Sequence, residues 1–155
     1  MSGTVSTPTQ RLAALGLELP EVAAPLAAYV PAVRSGSHVF TAGQLPLRSG
    51  ELVRAGKVGA SVSPEDAVEC ARQCALNAMA AVNSLVPVDQ VKRVVKVVVF
   101  VASDPSFTGQ PAVANGASEL LGEVFADAGV HARSAVGVAV LPMDAPVEVE
   151  IVVEV

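Results

Sequence analysis

One cation stands at the head of an apolar, β-rich stretch near the carboxyl end of the chain. The stretch is HARSAVGVAVLP, residues 131–142, and the cation is the guanidinium of Arg133. Because stripping water from a guanidinium is costly, Arg133 needs a partner. A planar guanidinium presents paired N–H donors that match a carboxylate, which favours a ligand site. An ion pair with Glu154 across a terminal hairpin is the alternative.

Alternation sorts the last two predicted strands, residues 133–141 and 147–155, into faces. On the final strand the aliphatic residues share one side, and three carboxylates share the other: Glu148, Glu150 and Glu154. On the preceding strand the side that holds Arg133 otherwise carries only small residues: Ala135, Gly137 and Ala139. We therefore predict one face with Arg133, small residues and carboxylates, edged by Val98 and Phe100. A hairpin register places Glu148 roughly 20 Å from Arg133, so a shared site needs a bulge or a second subunit.

The remaining elements form an α+β sandwich, one sheet with two helices packed on one face, in the order β-β-α-β-α-β-β. Residues 30–34 and 38–42 form a predicted hairpin, with a minor strand possible in the Gly-rich loop 51–60. Ser63 can cap a helix that runs to Leu85. A second helix, which Gly116 weakens, begins near Gln110 and ends before Gly129. We also predict a short helix at residues 11–19. A further strand, rich in β-branched residues, is predicted at 91–102, and we place its odd-numbered positions on the core face.

Composition excludes several classes of function. Ten Lys and Arg against 15 Asp and Glu give a net charge of −5, which disfavours nucleic acid as a partner. The most apolar stretch, 94–102, is too short to span a membrane. Cys70 and Cys74 lack a CxxC or a metal-ligand pattern and indicate reduced core thiols. Residues 1–10 predict a flexible tail rather than a signal peptide, 11–155 a single domain, and the cytoplasm is the expected compartment.

Two segments resemble the RidA family, YjgF-like proteins that are also called endoribonuclease L-PSP. ARSAVGVAVLPMDAPVEVE, residues 132–150, is similar to the family's Ala-Arg-Ser, Leu-Pro and Val-Glu-Val/Ile-Glu. AYVPAVRSGSHVFTAGQLPL, residues 28–47, resembles its opening hairpin, with Tyr29, Gly43-Gln44 and Pro46 in matching places. The resemblance covers residues 25–155. The long N-terminus and the loop 51–60 are similar to a longer subgroup of the family.

The resemblance implies a chorismate-mutase-like homotrimer whose sheets form a central barrel, with ligand clefts between neighbouring subunits. It implies two catalytic residues, Arg133 for the substrate carboxylate and Glu148 for water. The implied substrate-binding residues are Arg133, Tyr29, Gly43, Asn115 and Ala135. The implied reaction hydrolyses an enamine or imine, such as 2-aminoacrylate or 2-iminobutanoate, to a 2-keto acid and ammonia, without a metal or an organic cofactor.

Other interpretations stay open. Ala42 stands where family deaminases often have Ser, and Ala135 where they often have Cys, so the protein could be a non-catalytic trimer that binds small carboxylates or partner proteins. An endoribonuclease or translation inhibitor is suggested only by the family's label and is opposed by the net charge. His38 and His131 are each a lone His beside a turn, which indicates a solvated side chain rather than a catalytic base. Ser134 lacks the His/Asp pattern of a nucleophile.

Overall fold

In the computed structural model, which describes residues 5–155, two of the three helices begin at a capping side chain and the third has a proline in its first turn. The helices are α1 (Pro8–Ala14), α2 (Pro64–Asn83) and α3 (Gln110–Phe125). The Ser63 hydroxyl accepts a hydrogen bond from the backbone N–H of Asp66 at the start of α2, as predicted. After α3 a 3₁₀ turn, Ala126–Gly129, leads into the next strand. The structure thus confirms both long helices, to within two residues at the end of α2.

The first helix differs from the sequence-based prediction. Thr7 and Gln10 form a reciprocal capping box, so α1 begins at Pro8, inside the segment predicted to be a flexible tail. The backbone N–H and the hydroxyl of Thr9 both donate to the carboxylate of Asp89, at 2.9 and 2.8 Å. These contacts tie α1 to the body of the protein. Residues 1–4 of the predicted tail lie outside the described residues.

Seven strands in the described part of the chain form two sheets. They are β1 (Ala32–Ser35), β2 (His38–Thr41), β3 (Leu47–Arg48), β4 (Glu51–Leu52), β5 (Arg93–Ala102), β6 (Ala132–Val138) and β7 (Val147–Glu154). The main sheet has the order β1-β2-β7-β5-β6, and β3 pairs with β4 alone. All pairs in the main sheet are antiparallel except β5 with β6, which are joined by α3. A helical crossover is the usual connection between parallel neighbours.

The predicted hairpin of the last two strands is wrong. β7 pairs with β5 and β2, and β6 pairs with the other edge of β5, so β5 lies between them. The connection 139–146 therefore crosses the end of β5, a distance of about 10 Å for two strand spacings. Eight residues span that distance easily, and so the short loop did not require adjacent strands.

The hydrophobic core lies between the helices and one face of the sheet. Strand β7 contributes the alternate residues predicted for it: Val147, Val149, Ile151 and Val153, each at most 1% exposed. Strand β5 contributes Val97, Val99 and Val101 as predicted, but Val94 instead of Val95. A register shift between Val94 and Lys96 explains the exchange, because a bulge reverses the alternation of side chains.

None of the helices described within residues 5–155 covers the other face of the sheet, and we call it the open face. The register of the pairs places these side chains there: Val33, Phe40, Lys96, Val98, Phe100, Ser134, Val136, Glu148, Glu150 and Val152. Phe40 is 47% exposed and Val136 is 44% exposed. Most of this surface is aliphatic or aromatic, which is unusual for a face in contact with water.

Candidate active site

Arg133 lies one residue inside the start of β6 and points toward α3. Its Nη1 donates to Asn115 Oδ1 at 2.7 Å and to Ser118 Oγ at 3.2 Å. Its Nη2 donates to the backbone carbonyl of Pro111 at 3.3 Å. All three acceptors belong to α3, and all are uncharged. The guanidinium is therefore held in place by neutral oxygens that orient it without neutralising it.

A guanidinium carries five N–H donors, and three of those on Arg133 have partners within the chain. The Nε–H and one Nη2–H have no hydrogen bond to residues 5–155. These two donors remain for a ligand, and Nε with Nη2 is one of the pairs through which a guanidinium binds a carboxylate in the bidentate manner. Arg133 is half-buried, so this pair can be reached by a ligand. The residue keeps both its charge and a free recognition edge.

The alternative of an ion pair between Arg133 and Glu154 is wrong. Glu154 lies on β7, where it is opposite Arg93 of β5 and His38 of β2. Arg133 lies on β6, on the opposite side of β5, where it pairs with Val97, four residues along β5 from Arg93. The ion pairs found among residues 5–155 involve Arg48, Arg54 and Arg72 but not Arg133.

Glu148 lies on the open face and is half-buried. Burial raises the pKa of its carboxyl group, and the neighbouring charge of Glu150 raises it further. The segment after β2 lies alongside, because the backbone groups of Gln44 and Val149 exchange hydrogen bonds of 2.8 and 3.0 Å. This pairing brings Gly43 against Glu148. A Cβ atom on Gly43 would overlap Glu148 Oε1, so only glycine leaves room for the carboxylate there.

Tyr29 and Gly43 lie in one depression of the surface. Ten residues line it: Ala23, Ala24, Pro25, Leu26, Tyr29, Pro31, Gly43, Gln44, Leu45 and Leu47. Its walls are mainly small and apolar, and residues 23–31 belong to the segment before β1. Tyr29 is 47% exposed, so it is not the core aromatic that its type alone allowed. The Tyr29 hydroxyl accepts a hydrogen bond from the Leu26 N–H at 3.4 Å.

The predicted site residues thus form two groups on opposite faces of the sheet. Arg133 is in register with Val97, and Glu148 is in register with Phe100, three residues further along β5. An odd separation puts the two side chains on opposite faces. They are also about 10 Å apart along the strands and about 10 Å apart across them. One chain alone does not bring Arg133 and Glu148 into a single site.

This arrangement corrects the predicted faces of β6. Arg133, Ala135 and Gly137 do share a side, but that side lies under α3 and is not the face of Glu148. Ala135 packs against the hydrophobic core, and a Cβ atom on Gly137 would approach Gln110 Nε2 of α3 to 2.9 Å. Small residues on an edge strand therefore allow a helix to approach closely. Val98 and Phe100 do lie on the face of Glu148, as expected.

The two histidines differ. His38 is half-buried at the end of β2, with its ring 6.4 Å from the ring of Phe40. His131 is not simply solvated as predicted, because both ring nitrogens have partners. Nδ1 is 2.6 Å from the carbonyl oxygen of Gly129, and Nε2 is 2.9 Å from the hydroxyl of Ser118. Sequence reasoning missed Ser118, although its place three residues after Asn115 puts both on the same side of α3.

The chain shows neither a metal cluster nor a membrane helix in the part that the structure describes. No group of three or more His, Cys, Asp or Glu side chains is arranged to hold a metal ion among residues 5–155. None of the described helices is both long enough and apolar enough to cross a bilayer.

Comparison with known proteins identifies the family. Residues 9–155 match the model of the family described as "YjgF/chorismate mutase-like, putative endoribonuclease". The chain belongs to the YjgF/RidA family. The match confirms the predicted resemblance and the α+β, chorismate-mutase-like fold, and it extends to α1, beyond the predicted limit of residue 25.

Three relatives of the family cover most of the chain. Protein TCP17 of Trypanosoma cruzi is 47% identical over 155 residues, which are 99% of this chain and 95% of that protein. A solved "putative endoribonuclease" of Shewanella oneidensis MR-1 is 34% identical with a TM-score of 0.94, and covers 97% of this chain and 100% of its own. The solved TdcF of E. coli with bound serine is 27% identical with a TM-score of 0.62, and covers 87% and 94%.

The RidA motif corresponds to three pieces of structure. Ala-Arg-Ser begins β6, Leu-Pro lies in the connection across the end of β5, and Val-Glu-Val-Glu begins β7. The motif therefore spans both faces of the sheet, with Arg133 on one and Glu148 on the other. Asn115, which the resemblance alone suggested, contacts Arg133 directly. Gly43, also suggested by the resemblance, contacts Glu148.

Proposed function

We propose that this protein hydrolyses reactive enamines and imines of the 2-aminoacrylate or 2-iminobutanoate type to a 2-keto acid and ammonia. One observation carries the proposal. The guanidinium of Arg133 is half-buried and donates to three neutral oxygens, and two of its N–H donors have no partner among residues 5–155. A site of this kind suits a small organic carboxylate. The serine that the relative TdcF binds also has such a carboxylate.

The reaction needs one bound anion and one oriented water. An imine carbon is already electrophilic, so a carboxylate held beside it fixes the carbon in place. Glu148 accepts a proton from water as the oxygen attacks that carbon. It returns that proton to the imine nitrogen, which gives a carbinolamine. The hydroxyl proton of the carbinolamine is then passed through Glu148 to the same nitrogen, the C–N bond breaks, and ammonia leaves as the keto group forms. A carboxyl pKa raised toward neutrality makes Glu148 a better base for this step.

We infer that the site is completed between copies of the chain in a homotrimer. Arg133 and Glu148 face opposite sides of their own sheet, so a shared cleft requires the Arg133 of one copy to meet the Glu148 of another. The exposed apolar side chains of the open face support burial of this surface between copies. The depression beside Tyr29 would then receive the side chain of the substrate, and its small apolar walls suit an ethyl or methylene group.

The test is release of ammonia and 2-keto acid from freshly generated 2-iminobutanoate. We expect Arg133→Ala to lower kcat/KM by at least about tenfold, the effect of losing hydrogen bonds to a charged group. Arg72→Ala is the matched control, since Arg72 forms an exposed ion pair with Glu123 on the outside of the helices. Equal rates for the wild type and Arg133→Ala would reject the proposed role.

A second candidate is a trimer that binds small carboxylates without turning them over. Ala42 and Ala135 favour it, because neither position offers the polar side chain that family deaminases often have there. Calorimetry with 2-ketobutyrate separates the two candidates. Binding of the keto acid without any acceleration of imine hydrolysis would favour the non-catalytic protein.

The name of the Shewanella relative raises RNA cleavage as a third candidate. The net charge of −5 opposes it, since RNA binding depends largely on cationic side chains at the phosphates. Incubation of a nuclease-free preparation with a long RNA tests it directly. Cleavage that disappears in the Glu148→Gln variant would support an RNase activity of this site.

A further inference from the structure

A chain of hydrogen bonds runs behind Arg133. Arg133 Nη1 donates to Ser118 Oγ at 3.2 Å, Ser118 Oγ lies 2.9 Å from His131 Nε2, and His131 Nδ1 lies 2.6 Å from the carbonyl oxygen of Gly129. Ser118 comes from α3, Gly129 from the turn after it, His131 from the link that precedes β6, and Arg133 from the start of β6. His131 and Ser118 are both half-buried. The chain therefore links the guanidinium to the backbone of the turn.

The Gly129 carbonyl at the end of this chain determines which group donates and which accepts in each hydrogen bond. A carbonyl oxygen only accepts, so His131 Nδ1 must carry the proton that is donated to Gly129. In the neutral imidazole Nε2 then only accepts, and the Ser118 hydroxyl donates its proton to Nε2. The lone pairs of Ser118 Oγ are left facing Arg133. Each hydrogen-bonding group in the chain has one defined role.

Imidazole is the side chain that fits both ends. It presents a donor and an acceptor on opposite sides of one rigid ring, and so it bridges the Gly129 carbonyl and the Ser118 hydroxyl together. A phenyl ring fills the same volume without either hydrogen bond. A glutamine side chain can place an acceptor near Ser118 but does not hold the same bond to Gly129. These differences allow the hydrogen bonds to be separated from the packing.

We propose that His131 is a positioning residue that orients Arg133 through Ser118. The proposal rests on the proposed function, in which Arg133 holds the carboxylate of the substrate. A free serine hydroxyl can turn its proton toward Arg133, whereas one that donates to His131 keeps an acceptor directed at the guanidinium. Fixing Arg133 before the ligand arrives reduces the entropy lost on binding. The effect belongs to carboxylate binding and not to attack by water at Glu148.

The first test compares the kinetics of His131→Phe and His131→Gln with wild type on 2-iminobutanoate. We expect His131→Phe to raise KM by about threefold to tenfold with kcat changed less than twofold, the loss of roughly one hydrogen bond to the binding step. His131→Gln restores an acceptor for Ser118 and is expected to recover most of the wild-type KM. His38→Phe removes the other histidine and serves as the matched control. An unchanged KM in His131→Phe, or a fall in kcat alone, would contradict the proposal.

The second test asks whether His131 acts through Ser118. We expect Ser118→Ala to raise KM, and we expect the double variant Ser118→Ala/His131→Phe to be no worse than Ser118→Ala. Independent effects would instead add in free energy and multiply in KM. Such additivity would overturn the proposed connection. Calorimetry with 2-ketobutyrate gives the same comparison as dissociation constants, and it needs no turnover.

The outcomes separate this proposal from the proposed function. If Arg133→Ala leaves turnover and keto-acid binding unchanged, the proposed function fails. If Arg133→Ala is impaired while His131→Phe and Ser118→Ala equal wild type, only the role of His131 fails. Thermal unfolding of each variant identifies a folding defect. Should His131→Phe not fold, Ser118→Ala and His131→Gln still test the proposal, with raised and near-normal KM expected respectively.

Discussion

Glu148 places a carboxylate in a half-buried position on a strand whose other face is entirely aliphatic. Burial raises the pKa of this carboxyl group above its ordinary value of 4.5. The folded state therefore holds the proton more strongly than the unfolded chain does. The protonated carboxyl group contributes stability below the pKa that Glu148 has in the unfolded chain. This contribution is lost as the pH rises through the higher pKa of Glu148 in the folded state. At neutral pH the ionised side chain thus lowers the free energy of unfolding.

Glu148→Gln should remove this electrostatic cost while it removes the base. We expect the variant to unfold at the same or a higher temperature than wild type at pH 7, with the difference shrinking as the pH approaches 4. Imine hydrolysis should fall by about a hundredfold or more, within the usual range for loss of a general base. Calorimetric melting and ammonia release measure the two effects. A variant that is less stable at pH 7 and fully active would contradict both statements.

Gly43 is needed because the Glu148 carboxylate occupies the space of a Cβ atom. Gly43→Ala must displace Glu148 or the paired segment at Gln44. Because the overlapping atoms are the far end of a flexible side chain, we expect Glu148 to turn aside with little change in stability and with a lower kcat. Denaturant unfolding and turnover of 2-iminobutanoate provide the measurements. If Gly43→Ala retains wild-type kcat, the contact between Gly43 and Glu148 does not matter for the reaction.

At the scale of elements, α2 and α3 approach each other closely at one glycine. A Cβ atom on Gly116 would overlap the backbone carbonyl of Val68 in α2, so Gly116 is required by packing. From the sequence alone this glycine only weakened the helix prediction, because glycine is a poor helix former. The reason for it lies in the neighbouring helix. Gly122, later in α3, has open space around it.

The two glycines of α3 should respond with opposite signs to the same substitution. We expect Gly116→Ala to destabilise the protein by about 1–3 kcal/mol, because backbone atoms of α2 cannot move aside cheaply. Gly122→Ala should stabilise it by about 0.5–1 kcal/mol through helix propensity. Urea unfolding of both variants tests the pair. Equal effects would mean that the two helices are not packed as described.

At the scale of the whole molecule, the open face remains uncovered in a single chain. Its exposed apolar side chains and the separation of Arg133 from Glu148 both support assembly with further copies. In the proposed homotrimer, the open faces of the copies would bury Phe40 and Val136, and the two groups of site residues would meet between copies. A single chain would then hold only two incomplete half-sites, so activity would depend on protein concentration.

A charge on the open face should therefore abolish both assembly and activity. We expect the wild type to be a trimer by light scattering and Phe40→Glu to be a smaller species that does not hydrolyse 2-iminobutanoate. Leu85→Glu is the control, because Leu85 is 48% exposed just after α2, on the helical side of the molecule. It should remain an active trimer. A fully active monomeric wild type would contradict the shared site.

Much of the molecule follows from local chemistry in the sequence. Capping at Ser63, the alternation of β7 and the turn between β1 and β2 depend on neighbours within a few residues, and the structure confirms each. The aliphatic face of β7 and its row of glutamates also predicted that Glu148 faces away from the helices, as the structure shows, although not that Arg133 lies on the other face. The resemblance to the family suggested Gly43 and Asn115, which composition and spacing alone had not singled out, and the structure puts them against Glu148 and Arg133 respectively.

Tertiary structure alone decided how the strands are ordered and which way Arg133 faces. Strand order depends on contacts between residues far apart in the chain, and a loop of eight residues permits either a hairpin or a crossing. Alternation tells which residues share a face, but Arg133, Ala135 and Gly137 are too mixed in character to tell which face meets the helices. The hydrogen bonds from Ser118 and His131 likewise exist only because α3 packs against β6. Arg133 acquires its neutral partners from α3 through that packing.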